Sequence, residues 1–359
     1  MGGATAEGTG SFAERLLTLL DQASVATTYK YALVLALLDA SLESTDDRGE
    51  PPERIEVAML ADQVLAMYWP HTDPYPGSGG VLRQSGTGQA ELVTAIERFR
   101  RADPAGRSTL ASARYSPAFP RLRATVAWKL AEMPLPRLQR IGRVDHRFLY
   151  DMAWDDTITR SQFEADGFDR AIRLRPGVGR ELVRLSPLIR PLVERLWAAR
   201  VVVYNRLPDG RLDDFLFRRA RLDATRLRLA LWELQEQRCF YTGERLRLGE
   251  ADVDHFVPWS RSPLNAVENL VVADRRVNNR KRDHLAAASL VGRWRHRNDR
   301  LRAELAQVAL ANRWETGFDQ TLGVARALYL SLDARTLLWV PPDEFVPADL
   351  AGLRNALAA

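Results

Sequence analysis

The 359 residues predict a mainly α protein, and three observations carry that reading. Apolar residues recur at helical spacing through most of the chain, which sets them along one face of each helix. The β-prone runs are short, the clearest being VDHF at 253–256 and NLVVA at 269–273. The composition, 46% hydrophobic and 27% charged, suits a chain that buries a sizeable core, so disorder is not expected to dominate.

In chain order, residues 1–10 are small and polar and are expected to be disordered. Phe12, Leu16, Leu17 and Leu20 mark a first helix. A second is expected from Thr28 to Leu42, where Tyr31, Leu35, Leu38 and Leu42 share a side that Leu33, Val34 and Leu37 widen. A helix apolar around so much of its circumference belongs at the centre of a core. EPPERIEVAMLADQVLAMYWP reads as one helix entered through Pro51 and Pro52 and stopped by Pro70. Residues 71–89, rich in Pro, Gly and Ser, read as a long loop whose Arg83 and Gln84 are ordinary surface connection residues.

Helices are expected at 90–101 and within 118–133. Phe148, Tyr150 and Trp154, after a short strand or turn, are read as core rather than as a base-stacking platform. A strand is expected over 168–174, then one or two long helices over 179–207 despite Pro187 and Pro191. Pro208-Asp209-Gly210 is a turn. It is the expected boundary between a helical N-terminal regulatory or recognition domain, 1–210, and a C-terminal domain, 211–359. One helix from Leu212 to Gln237 leads to Cys239. Helices are expected again at 285–294, 301–314 and 321–332, with TLLWVPPDEFVP as a terminal strand.

The chemistry-bearing residues cluster between Arg238 and Ala286. Asp254 and His255 are adjacent, Asn269 follows fourteen residues after His255, and Asn278 nine residues after that. Hydrolysis of a phosphodiester needs a deprotonated water, a cation to neutralise the pentacovalent phosphate and stabilisation of the departing oxygen. The imidazole of His255 titrates near physiological pH and suits a general base. The carboxylate of Asp254 and the amide oxygen of Asn278 are the hard donors that Mg²⁺ accepts. VDH occurs a second time at 144–146 without the following Asn, so His146 is read as an ordinary structural or surface histidine.

Taken in order, the DH, NL and NxxK elements resemble the HNH family of nucleases, in particular bacterial HNH proteins with a long helical N-terminal region. The resemblance implies a ββα-metal finger with its core at 238–286 and flanking helices. It implies that Asp254 and Asn278 bind Mg²⁺ or Mn²⁺ while His255 faces the attacking water from the other side of the scissile phosphate. Asn269 would hold the connecting loop and orient the histidine. The implied catalytic set is His255, Asn269 and Asn278. The helix carrying Asn278 is expected to start near Asp274 and to present Lys281 and Arg282 on one face. With Arg280, these cations are expected to meet the phosphate backbone. His284, six residues past Asn278, falls on another face and is the weaker candidate for the third family position.

Many family members hold a structural Zn²⁺ between two CxxC pairs. Here the first pair reads CFYTG, with Thr242 in the second position, and Asp274 and Val277 stand where the other pair would fall. Cys239 is the single cysteine, so no structural zinc is expected and Cys239 is read as a small buried hydrophobe. One cysteine also argues against a disulfide-stapled secreted protein. With no run of 18 apolar residues and no signal-peptide pattern at the start, no membrane association and a cytoplasmic location are expected.

Residues 211–302 carry 20 Lys and Arg against 13 Asp and Glu, whereas the whole chain stands at +5, so the basic surplus coincides with the finger. Only Lys30, Lys129 and Lys281 are lysines, and that bias towards arginine weakens the charge argument. The expected partner is double-stranded DNA, with protein partners of an antiphage-defence or restriction system possible through the N-terminal domain. RNA as substrate and a non-catalytic nucleic-acid-binding or assembly module are the competing expectations.

Overall fold

The computed structural model describes residues 11–22, 27–77, 79–102, 109–142, 144–208, 212–218 and 224–358. Residues 1–10, expected to be disordered, and Asp209 and Gly210, the expected boundary turn, lie outside the described residues.

The chain opens with α1 (Phe12–Gln22) and α2 (Tyr29–Glu43), then the short strand β1 (Arg54–Glu56) and α3 (Val57–Tyr68). α4 (Glu91–Ala102), α5 (Leu110–Ala113), α6 (Phe119–Glu132) and α7 (Pro134–Arg137) follow. After β2 (Arg140–Ile141), β3 (Val144–Asp145) and β4 (Tyr150–Met152) come α8 (Arg160–Glu164), β5 (Ala171–Leu174) and the long α9 (Val178–Asn205). The C-terminal part holds α10 (Arg228–Leu234), β6 (Ala251–His255), β7 (Leu270–Asp274) and α11 (Arg275–Lys281). It closes with α12 (Ala288–Arg300), α13 (Arg302–Asn312), α14 (Phe318–Leu330), the hairpin β8 (Leu337–Val340) and β9 (Glu344–Pro347), and α15 (Leu350–Leu357).

The helix expected at 28–42 is α2, and it is central: Tyr31 through Leu42 are all buried. It packs against α3, α9 and α14. Gly323 on α14 permits the last of these contacts, because a Cβ there would overlap the Glu43 carbonyl oxygen. Elements from both sides of residue 210 therefore share one hydrophobic core. α9 runs unbroken for 28 residues with Pro187 and Pro191 inside it.

Four small antiparallel sheets complete the fold among the described residues, in the orders β1-β5-β4, β2-β3, β6-β7 and β8-β9. Several expectations need correction. Residues 54–56, read as the start of a helix, form β1, because they pair with 171–173 far along the chain. The helix expected from 212 to 237 is not continuous: a π-helical turn at Asp214–Arg218, a 3-10 turn at Ala224–Leu227 and the short α10 replace it. The terminal strand is a hairpin, and α15 follows it, capped by the Asp349 side chain. Gln84, read as surface, is fully buried; its Oε1 accepts from Thr28 Oγ1 at 2.9 Å and from Trp197 Nε1 at 2.8 Å.

Candidate active site

β6 and β7 lie antiparallel, with Asp254 opposite Val271 and His255 opposite Leu270. Side chains alternate across a strand, so Asp254 and His255 leave β6 on opposite faces. Their surroundings bear this out. Asp254 Oδ2 accepts from the Tyr241 hydroxyl and lies 3.0 Å from Lys281 Nζ. The same ammonium donates to the His255 carbonyl oxygen at 3.0 Å. Burial, followed by the negative charge of Asp254, holds the Tyr241 hydroxyl well above its usual titration range, so it remains a donor.

The imidazole of His255 turns the other way. Its Nε2 lies 3.2 Å from Asn265 Oδ1, and the Trp259 ring meets it edge-on with centroids 5.4 Å apart. In a neutral ring, an Nε2–H donated to Asn265 leaves the lone pair on Nδ1, the atom then able to take a proton. The residue is only 4% exposed, so no phosphate of a rigid duplex reaches it in this conformation.

Asn269 clamps the loop between the two strands. Its Oδ1 accepts from Val257 N at 2.8 Å, and its Nδ2 donates to the carbonyl oxygens of Val257 at 3.0 Å and Leu264 at 3.1 Å. The Asn269 carbonyl in turn accepts from Phe256 N, so the backbone immediately after His255 is fixed from both sides. Asn269→Ala would leave one N–H and two carbonyl groups of a buried loop unpaired. It is expected to cost about 2–3 kcal/mol, read as a shift in urea unfolding; a loss below about 1 kcal/mol would show that the loop holds without the clamp.

Asn278 sits on α11, which packs against both β6 and β7. As expected, the helix begins at Asp274, whose side chain accepts from Arg276 N and Val277 N as an N-cap. The face expected for Lys281 and Arg282 is corrected. Lys281 is the last residue of α11 and is fully buried, its ammonium turned inwards to Asp254 rather than out to a phosphate. Arg282 is exposed, but its φ of +51° takes it off the helix. Arg276 and Arg280, one turn apart on α11, are exposed and basic. His284 packs edge-on against Phe345, 4.9 Å between centroids, and His146 is exposed.

The turn around Cys239 is held by ordinary bonds. Cys239 N donates to the Glu244 carbonyl at 2.9 Å, Gly243 N to the Cys239 carbonyl at 2.9 Å, and Asp274 N to Cys239 Sγ at 3.4 Å. Gly243, at φ +76°, supplies the left-handed residue that closes the turn. Among the described residues no group of three or more His, Cys, Asp or Glu side chains is placed to hold a metal ion.

Four residues went unnoticed in the sequence. Tyr241 and Asn265 are the hydrogen-bond partners of Asp254 and His255, and Trp259 walls the imidazole. Glu268, buried beside Asn269, accepts from Thr316 Oγ1 at 2.6 Å and Gly317 N at 3.0 Å, tying the finger to the C-terminal helices. Tyr241 at least lies inside the CFYTG string; nothing in the sequence marks the other three.

Two antiparallel strands, a loop pinned by an asparagine and a helix that packs against both strands define a ββα finger. Residues 239–287 match the family model of the HNH endonucleases, and this segment is an HNH endonuclease domain. No curated protein matches the chain.

Proposed function

We propose that the protein is a metal-dependent HNH endonuclease that hydrolyses phosphodiester bonds of DNA, with His255 as general base. The observation that supports this most is the pinned strand end: Asn269 fixes the backbone just beyond His255, and an Nε2–H donated to Asn265 would leave Nδ1 to take the proton. In this reading His255 removes a proton from the attacking water, the water oxygen bonds to phosphorus, and the 3′ oxygen departs. Exposed Arg276, Arg280 and Arg282 meet the backbone of the substrate.

The donor set suits a hard divalent ion. Both contacts of the Asp254 carboxylate fall on Oδ2, which leaves Oδ1 as a ligand oxygen, and the Asn278 amide oxygen is a second donor of the same hard type. Asp254 and Asn278 would hold Mg²⁺ or Mn²⁺, which supplies neutralisation of the phosphate charge. The loop carrying Trp259 and Asn265 must move aside before a phosphate meets the imidazole. Restraint of this kind suits an antiphage-defence or restriction effector whose N-terminal helices recognise a target or dock a partner, by analogy with the family alone.

Two observations favour a second reading, a non-catalytic nucleic-acid-binding module. Asp254 already has a buried cation as its partner, and His255 is covered. Incubation of the full chain with supercoiled plasmid, single-stranded DNA and RNA, each with Mg²⁺ or Mn²⁺ and with EDTA, tests the proposal. Plasmid nicking that EDTA abolishes is expected. Cleavage that persists in EDTA overturns the metal assignment, cleavage of RNA alone overturns the substrate, and binding without cleavage of any of the three supports the second reading.

A further inference from the structure

A cavity of about 440 Å³ lies between the N-terminal helices and the loop after His255. That size falls within the range of small-molecule sites, about 300–1,000 Å³. The acids Asp39, Glu43, Asp73, Glu194 and Glu315 line it, together with Arg190. Three of these acids have cationic partners: Asp39 pairs with Arg190, Glu194 lies 3.9 Å from Arg190, and Asp73 meets Arg100 at 2.9 Å.

The other two do not. Glu43 Oε2 accepts from the Gln63 amide at 2.7 Å, and the Glu315 carboxyl has no hydrogen-bond or ion-pair partner among the described residues. Burial, reinforced by the negative charge of Asp39 and opposed by the Gln63 hydrogen bond, Arg114 and Arg190, pushes the Glu43 carboxyl up to about 8. Burial likewise raises Glu315, with Arg114 opposing it. Trp69, Phe217 and Trp259 give the same wall flat apolar surface.

We propose that this cavity binds a small organic cation with a flat apolar body, its charged end between Glu43 and Glu315 and its body against the aromatic wall. A positive charge there supplies the partner that the two carboxyls lack, and aromatic faces add cation–π attraction. A neutral molecule of the same shape lacks the first of these. Trp259 and Asn265 line the cavity and also meet His255, so an occupant lies against residues that touch the imidazole. The binding itself does not depend on whether the chain cleaves nucleic acid.

Isothermal titration of the full chain at pH 7 tests this with benzamidine, a planar amidinium, against benzamide, its neutral isostere. Benzamidine is expected to bind at least about tenfold more tightly. Glu43 is mostly protonated at pH 7 and ionises when the cation arrives, so the apparent heat should change with the ionisation enthalpy of the buffer, in the sense of proton release. Glu315→Gln and Glu43→Gln, both near-isosteric, should each weaken benzamidine by about tenfold or more while the circular dichroism spectrum stays unchanged. Equal affinity for the two probes, no binding of benzamidine, or wild-type affinity in both variants overturns the proposal.

Discussion

Lys281→Ala is expected to destabilise the fold by about 3–5 kcal/mol, the range found when one partner of a buried ion pair is removed. Its ammonium is fully enclosed, 3.0 Å from both Asp254 Oδ2 and the His255 carbonyl, and 5.7 Å from the centre of the Tyr241 ring. Without it, the Asp254 carboxylate stays buried with the Tyr241 hydroxyl as its remaining partner, and the carbonyl at the end of β6 loses its donor. The cost comes mainly from the stranded charge rather than from the attraction lost. The double variant Asp254→Asn with Lys281→Met should therefore recover most of the stability, a coupling that a double-mutant cycle in urea measures. A single-variant loss under about 1 kcal/mol would mean that water reaches the pair and that it behaves as a surface ion pair.

His255→Ala is expected to reduce DNA cleavage by about 10²–10⁴-fold, the contribution typical of a general base. The accompanying loss of stability should be smaller than for Lys281, about 1–2 kcal/mol, because it removes one hydrogen bond to Asn265 and one ring contact with Trp259. The two variants thus separate the two faces of β6. One side chain anchors the finger through charge, and the other is the proposed general base. Initial rates on a labelled duplex, with unfolding midpoints on the same preparations, make that separation measurable.

Where local periodicity carries the information, the fold was legible. α2 is apolar on so many sides that its central position follows from its sequence, and α9 keeps its helix through two prolines along a continuous row of leucines. The start of α11 was legible as well, because Asp274 is an N-cap by residue type. β1 was not: its partner strand β5 lies more than a hundred residues away, and no local window shows such a pairing. The breaks between residues 212 and 237 gave no signal, since that stretch has no proline or glycine after Gly210. Within the site, spacing picked out Asp254, His255, Asn269 and Asn278, but not the direction each side chain takes. Lys281 shows why. Three residues past Asn278 it reads as a surface cation, yet the helix ends there and its long stem reaches back under the strand to Asp254. Asn265 and Trp259 lie in an irregular loop, where no period predicts contact with His255.

The most direct test of the central claim is a time course of supercoiled plasmid with Mg²⁺, run beside wild type and the His255→Ala variant after their circular dichroism spectra have been matched. The wild type is expected to nick the plasmid and the variant to leave it supercoiled. Equal rates from the two proteins would contradict the claim.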